Sequence, residues 1–333
     1  MVEPWVVLGS LALEAVVGYP AGLHARIPHP VVWVGGAISA LERWWNRPEY
    51  SFARRRLLGF VAVVLVTGAA IVAGWAVQWV VARVAQSIVW HVGAGVAVHL
   101  AAVGFVALVG TVGLAQRSLF EHVNNVLTSL RAGDLPASRE KVSHIVGRDT
   151  RQLDATGVSA AALESLAESF NDGIVAPAFW FLIAGLPGLF AYKVINTADS
   201  LIGHKEERWR AFGWTAARVD DVANLVPARI AGVLLVLAGC RGFGVMLSDA
   251  AKHASPNAGW PEAAMAGALR IRLGGPATYD GVLHERPVFG TGPAPGVAEL
   301  RCGLRLYVVA CGLLWLAIAA VGVAAAGGAS WLR

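Results

Sequence analysis

Three carboxylates recur at a spacing of four residues: Glu164, Glu168 and Asp172, with Asn171 beside the last and Gly147-Arg148-Asp149-Thr150 upstream. On an α-helix that spacing stacks them along one stripe. Stacked like charges repel by about a few tenths of a kcal/mol per exposed pair, so the arrangement calls for a compensating cation. A solvated helix face can carry such a row. This one runs straight into an apolar segment, where ionisable groups are costly and tend to serve function. A second group holds Asn196, Thr197, Asp199 and Ser200, followed by His204, Lys205, Arg208 and Arg210. Oxygen donors beside a cluster of cations suit a magnesium-bound phosphate, because Mg²⁺ takes carboxylate and phosphate oxygens while Arg and Lys hold the remaining charge. His204 is either a base or a surface histidine.

A third group comprises Arg218, Asp220, Asp221 and Asn224, just before Pro227 and Arg229. Residues 220, 221 and 224 are expected on one helical face at the mouth of the next apolar segment, where they can hold Mg²⁺ or cap a helix N-terminus. The chain has no Gly-x-x-x-x-Gly-Lys-Ser/Thr loop, no His-Glu-x-x-His helix and no Gly-x-Ser-x-Gly elbow, so any nucleotide is held in a non-Walker manner. Cys240, Cys302 and Cys311 lack metal-ligand spacing and frame no disulfide scaffold.

The elements that carry these groups are set by the bilayer. Of the 333 residues 56% are hydrophobic and only 15% charged, and the mean hydropathy is +0.58; a water-soluble domain of this length has no use for so much apolar surface. A helix needs about 20 apolar residues to cross, and Leu57 to Ala82, Ile88 to Ala115 and Leu304 to Ala326 meet that length. Gly173 to Ile195 and Leu225 to Leu247 are interrupted candidates. The first contains Pro177 and a Gly185-Leu186-Pro187-Gly188 break, the second Pro227, Arg229 and Arg241. The run from Trp5 to Val17 is shorter, carries Glu14, and has neither a basic n-region nor an Ala-x-Ala site; it reads as a retained, partly buried helix.

The expected fold is therefore all-α: a polytopic integral membrane protein with four or five transmembrane helices, one of them broken and re-entrant, and polar cytoplasmic helical insertions. Residues 1–333 read as a single membrane-embedded domain whose polar segments are 117–172, 196–224 and 248–303. The net charge of +5 is concentrated at Arg43, Arg47, Arg54, Arg55 and Arg56, which the positive-inside rule places in the cytoplasm. These arginines flank a span and lack an aromatic-interleaved recognition motif, which argues against nucleic acid as a partner.

Read in order, the motifs resemble the CobD/CbiB family, the adenosylcobinamide-phosphate synthases of cobalamin biosynthesis, over nearly the whole chain. The resemblance rests on Pro28-His29-Pro30-Val31; Ile145-Val146-Gly147-Arg148-Asp149-Thr150; Glu164-Ser165-Leu166-Ala167-Glu168 with Asp172-Gly173-Ile174-Val175-Ala176-Pro177; and Asn196-Thr197-Ala198-Asp199-Ser200 with Gly203-His204. It continues through Phe212-Gly213-Trp214 with Ala217-Arg218-Val219-Asp220-Asp221, Asn224 with Pro227-Ala228-Arg229, and Leu273-Gly274-Gly275-Pro276 with Tyr279, Gly281, Arg286 and Pro287. Each piece is short; seven in the right order are not a chance agreement. Two departures stand out: Gly18-Tyr19-Pro20 and Glu14 replace an acidic Gly-Asp-Pro turn and its upstream aspartate, and Ala277 stands where asparagine is common.

The resemblance implies a multi-pass enzyme of the cell inner membrane, its site facing the cytoplasm, that uses ATP and Mg²⁺ to join adenosylcobyric acid to (R)-1-amino-2-propanol or its O-phosphate. Its partners would be those small molecules, the lipid bilayer, and further copies of the chain or other membrane enzymes of the pathway. Under this reading Glu164, Glu168, Asp172, Asp199, Asp220 and Asp221 order metal and phosphate. Arg148, Asp149, Thr150, Asn196, Lys205, Arg208, Arg218 and Asn224 bind substrate or phosphate, and His204, Glu168, Asp220 and Asp221 act in catalysis. The rival readings are a membrane prenyl or phosphatidyl transferase using Mg-diphosphate, and a non-catalytic transporter or sensor. A re-entrant 173–195 keeps Asp172 and Asn196 on one side of the membrane. A reporter fused after His204 is accordingly expected to read as cytoplasmic, and a periplasmic signal removes the re-entrant arrangement.

Overall fold

A computed structural model describes residues 3–19, 22, 26, 28–92, 94–279 and 281–330. Pro20 of the Gly18-Tyr19-Pro20 turn lies outside the described residues. The protein is 77% helical with almost no sheet. Among the described residues four stretches are long and apolar enough to cross a membrane: Phe52–Val92, Gly95–Arg131, Ala155–Ile202 and Val297–Gly327. Two consecutive helices, Trp214–Ala223 and Leu225–Gly239, reach the required length only when taken together. This is the all-α polytopic architecture expected from the sequence.

The chain forms two compact units. The first holds the N-terminal helices through Ala115, residues Ala176–Ala223, and the last helix from Ile318. Its longest element, Phe52–Val92, is one continuous helix of 41 residues. The sequence reading ended a span at Ala82 and began the next at Ile88; no Gly or Pro falls between Trp75 and Val92 to break the hydrogen-bond ladder, and the next helix, Gly95–Gly110, starts only after Ala94. Much of the helix's outer face is large and uncovered, including Leu57, Val72, Trp75 and Trp90. In lipid such a surface is solvated rather than exposed.

The inner face packs through close backbone approaches. A side chain at Gly59 would run into the backbone carbonyl of Phe212, and Ile38, Ala62, Val63, Ala198, Ile202, Phe212 and Ala216 pack together around that contact. Residues Ala176–Ile202 are helical on either side of a break at Gly185, where φ is +68° and ψ −157°. This is the expected interruption, and only glycine adopts that backbone at little cost. Gly74 faces the break: a Cβ there would lie 2.6 Å from Pro187 N and 2.7 Å from Leu186 C. The interruption is thus built against a matching notch in the neighbouring helix.

The second unit comprises Gln116–Val175 and Asn224–Ala317. At its centre is Ala155–Phe170, begun by Asp154, whose carboxylate accepts from Gly157 N–H at 2.6 Å. Val158, Ala161, Ala162, Leu163, Leu166, Ala167 and Phe170 are all fully buried. The helix ends in a π turn, Asn171–Val175. Tyr307 packs edge-on against Phe170 at 5.8 Å and donates to the Gln116 carbonyl at 2.7 Å, tying the last helix to this core.

Residues 225–247 form no single helix. Leu225–Gly239 stops at Cys240 and Gly242, both left-handed, before Phe243–Asp249 begins. Two small antiparallel pairs complete the unit: β1 (Leu273–Gly274) with β4 (Val288–Phe289), and β2 (Ala277–Tyr279) with β3 (Val282–His284).

Replacing Gly74 by Leu should overpack the contact with the break at Gly185 and cost about 1–3 kcal/mol, measured as a lower thermal midpoint in detergent. An unchanged midpoint would mean that the close approach is unimportant.

Candidate functional site

The first carboxylate group occupies the second unit. Glu164 is 5% exposed in the middle of Ala155–Phe170, and two arginines converge on its Oε2: Arg148 Nη2 at 2.9 Å and Arg286 Nη1 at 3.1 Å. Its Oε1 accepts from the backbone N–H of Gly274 at 2.8 Å. Three donors on one buried carboxylate meet its hydrogen-bonding needs and offset the loss of water. The Gly274 contact also explains the Leu273-Gly274-Gly275-Pro276 motif. Gly274 and Gly275 take φ of +80° and +87°, a Cβ at Gly274 would strike the Pro287 carbonyl, and only glycines let this turn present its N–H to Glu164. The motif therefore sits beside Arg148 and Glu164 within one unit.

A cavity of about 150 Å³ adjoins this pair, lined by Arg148, Glu164, Glu168, Glu262, Tyr279 and Arg286 among others. Glu262 is 2% exposed and its Oε2 has no hydrogen-bond donor. The nearest cation to that oxygen is Arg286 Nη2 at 3.8 Å, and His253 Nε2 is 3.7 Å from Oε1. Burial, reinforced by the charges of Glu168 and Glu164, pushes the Glu262 carboxyl well above the usual carboxylate range against the pull of Arg286 and Arg148. The folded protein thus holds this proton more tightly than the unfolded chain. Arg286 is held above its ordinary value: burial works against it, and Glu164, Tyr279 and Glu262 outweigh that.

Only two of the three carboxylates in the expected stripe share this cavity. Glu164 and Glu168 line it, with Glu168 exposed. Asp172 stands in the π turn, where the wider spiral shifts it from the α-helical register. There Asn171 Nδ2 bridges Asp172 Oδ1 at 2.7 Å and Asn224 Oδ1 at 2.8 Å, and the buried Asn171 Oδ1 accepts no hydrogen bond. Asp149 accepts from Gly281 N–H at 2.9 Å and donates its own N–H to the Thr278 carbonyl at 2.8 Å, so it clips the β2–β3 hairpin. Thr150 is buried, and its carbonyl accepts from Leu153 N–H at 3.1 Å.

The second and third groups belong to the first unit, apart from Asn224. Asn196 Nδ2 donates to the buried Asp220 at 3.4 Å, joining Ala176–Ile202 to Trp214–Ala223. Asp199 lies one turn on, half-buried, and Gly203 leaves room for its carboxylate, which any side chain there would meet. Asp221 pairs with the exposed Arg218 at 3.0 Å. The helix bearing both aspartates ends at Ala223, and Asn224 stands at the start of Leu225–Gly239.

Arg208 forms a two-pronged pair with Glu42 at 3.0 and 2.9 Å. Burial raises the Glu42 carboxyl, but hydrogen bonds from Arg208 and Asn46 more than reverse this and hold it below the usual range. His204 and Lys205 are exposed, with the His204 ring 5.4 Å from that of Trp209.

Sequence reasoning assigned no role to Glu262, Tyr279, Arg286 or Glu42. Tyr279 and Arg286 were visible as motif members. Glu262 gave only the signal of an acidic residue in a helix's first turn. Among the described residues no three His, Cys, Asp or Glu side chains converge on a metal position. The described residues therefore form no protein-only cage. Magnesium carried by a nucleotide needs only one or two carboxylates beside phosphate oxygens, and Asp199 and Asp220 fit that smaller demand.

Comparison with known proteins bears on the whole chain. A family model described as CobD/Cbib protein matches residues 7–307. A cobalamin biosynthesis protein CobD of Rhodobacter capsulatus is 47% identical over 320 residues, covering 94% of this chain and 96% of its own. The protein of the same description from a Sinorhizobium species is 44% identical over 317 residues, covering 91% and 93%. That of Rhizobium meliloti is 41% identical over 329 residues, covering 94% and 95%. No solved structure matches.

Truncating Glu164 to Ala should leave Arg148 and Arg286 without their buried partner and cost about 3–5 kcal/mol. Thermal unfolding in detergent measures it, and a loss below about 1 kcal/mol would show that the arginines find other partners.

Proposed function

Because this chain belongs to the CobD/CbiB family, whose described relatives are cobalamin biosynthesis proteins, we propose that it catalyses ATP-dependent amide formation between adenosylcobyric acid and (R)-1-amino-2-propanol or its O-phosphate. The observation that carries the reading is the buried Arg148–Glu164–Arg286 cluster with a small acid-lined cavity beside it. A carboxylate does not condense with an amine in water until it is activated. An acyl phosphate made from ATP is one such activation, and it requires positioned phosphate, cations and a site for the amine.

In this scheme Asp199 and Asp220, with Asn196 holding Asp220 in place, order magnesium-bound phosphate. Bound magnesium neutralises phosphate charge. Lys205 and Arg218, both exposed, approach nucleotide oxygens, while Arg208 serves mainly to fix the 204–210 segment through Glu42. The exposed His204, its ring 5.4 Å from that of Trp209, is a weaker candidate for the base than a carboxylate screened from water. The site faces the cytoplasm of the inner membrane, where ATP is found, in keeping with the arginines between 43 and 56 that flank the start of the Phe52–Val92 helix.

Full-length protein in detergent should cleave ATP only when corrinoid acid and amino-alcohol are both supplied, forming one amide per ATP. Asp220→Asn should lower turnover roughly 100-fold, about 2.7 kcal/mol of transition-state stabilisation, with membrane insertion intact. Dependence on a prenyl diphosphate, or turnover without ATP, would refute the assignment.

A further inference from the structure

We infer that the cavity beside Glu262 receives the primary ammonium group of a short-chain amino-alcohol, and that Glu262 both anchors this group and takes its proton. The inference rests on the amide-forming reading and assigns the nucleophile's place within it.

Size narrows the occupant first. About 150 Å³ equals roughly five water molecules at about 30 Å³ each, which matches the five heavy atoms of a short amino-alcohol. Charge narrows it further. The lining carries the carboxylates of Glu164, Glu168 and Glu262 against the guanidinium groups of Arg148 and Arg286, and both arginines already bond to Glu164. An anion would find its cationic partners engaged, whereas a cation finds Glu262 Oε2 buried without a donor and Glu168 at the exposed edge.

An ammonium brings three donors, enough to satisfy that oxygen and a second carboxylate, and Tyr279 on the same wall can meet the alcohol. The groups facing Glu262 are Glu164, Glu168, Arg148, Arg286 and His253. Burial and the charges of Glu168 and Glu164 favour the protonated form of Glu262, against the pull of Arg286 and Arg148, and a bound ammonium would shift that balance toward the carboxylate.

The chemistry balances. Binding of the ammonium displaces a proton on Glu262 to water, and the ammonium then gives one of its own to the Glu262 carboxylate, freeing the nitrogen lone pair to attack the acyl carbon. The bond from that carbon to the phosphate oxygen breaks, the electron pair leaves with phosphate, and phosphate takes the second nitrogen proton. The products are the amide and hydrogen phosphate. A carboxylate whose affinity for protons is raised by burial suits this role better than an ordinary one.

The test is binding to the full-length protein in detergent, read as the shift in thermal midpoint with (R)-1-amino-2-propanol and, separately, with 1,2-propanediol, which lacks the nitrogen. The wild type should respond to the amine at concentrations where the diol does nothing. Glu262→Gln should raise the half-saturating amine concentration about tenfold or more, 1.4 kcal/mol per tenfold, and erase the preference over the diol. Glu262→Asp, which keeps the charge but withdraws it, should fall between.

Folding is followed in parallel. A carboxyl with a raised folded-state pKa contributes stability that is complete below the unfolded value and lost as pH rises through the folded one. That loss should be present in the wild type and absent in Glu262→Gln. If Glu262→Gln does not fold, Glu262→Asp decides alone, and wild-type amine affinity in it overturns the inference. So does unchanged amine affinity in a folded Glu262→Gln, or a wild type that ignores the amine and is stabilised by Mg²⁺ through Glu262. None of these measurements uses ATP, so failure of the turnover assay with intact amine binding would strike the reaction and leave the ammonium site standing.

Discussion

A carboxylate removed from water must be satisfied on every side, and Glu164 sets the terms for the second unit. Its two oxygens draw Arg148 from the segment before the central helix, Arg286 from beyond the hairpin, and the backbone of Gly274 from between them. These three donors are separated from Glu164 by 16, 122 and 110 residues. The polar segment after Leu269 would otherwise be a loop over the surface, with little hydrophobic burial of its own to fix it. The two-residue strands β1 and β4 could not hold that path unaided.

This requirement explains why the polar material is arranged as it is. A charge cluster of this kind gives little net stability compared with apolar packing of equal volume, but it admits one arrangement of the chain and penalises others. It also leaves behind an imbalance. With Glu164 taking both arginines, Glu262 has an ionic contact at 3.8 Å and no hydrogen bond at Oε2. The same geometry that orders the segment keeps one acid undercompensated, which is the condition under which a side chain becomes chemically responsive.

Features written in local composition were legible in the sequence. The apolar runs, the short N-terminal helix and the Gly185 break follow from hydropathy and from glycine and proline chemistry. The motif order was sufficient to identify the family. Boundaries that depend on the absence of a signal were missed: nothing between Arg83 and Val92 stops the first long helix, so the assumed turn there does not exist. The π turn at Asn171–Val175 has no local signature and moved Asp172 off the stripe. Glu262 was overlooked because an acid in a helix's first turn ordinarily complements the dipole; Glu164, Glu168 and Arg148 reach it from about a hundred residues away, His253 and Arg286 from separate nearer segments, and no periodicity reports them. Arg208 looked like a free cation because Glu42, its partner, lies 166 residues earlier.

The passage of the chain through its two units has a bearing on biosynthesis. The chain enters the first unit, leaves at Gln116, returns at Ala176, leaves again at Asn224 and comes back at Ile318, and Trp5 of the opening helix packs on Gly322 near the end. A ribosome delivering residues in order cannot finish this unit before nearly the whole polypeptide has emerged. Gly59 and Gly74 of the long helix must wait for Phe212 and for Leu186 and Pro187, more than a hundred residues later, before their close neighbours arrive. The contact of Trp5 with Gly322 closes last, after the rest of the unit's packing partners have been made.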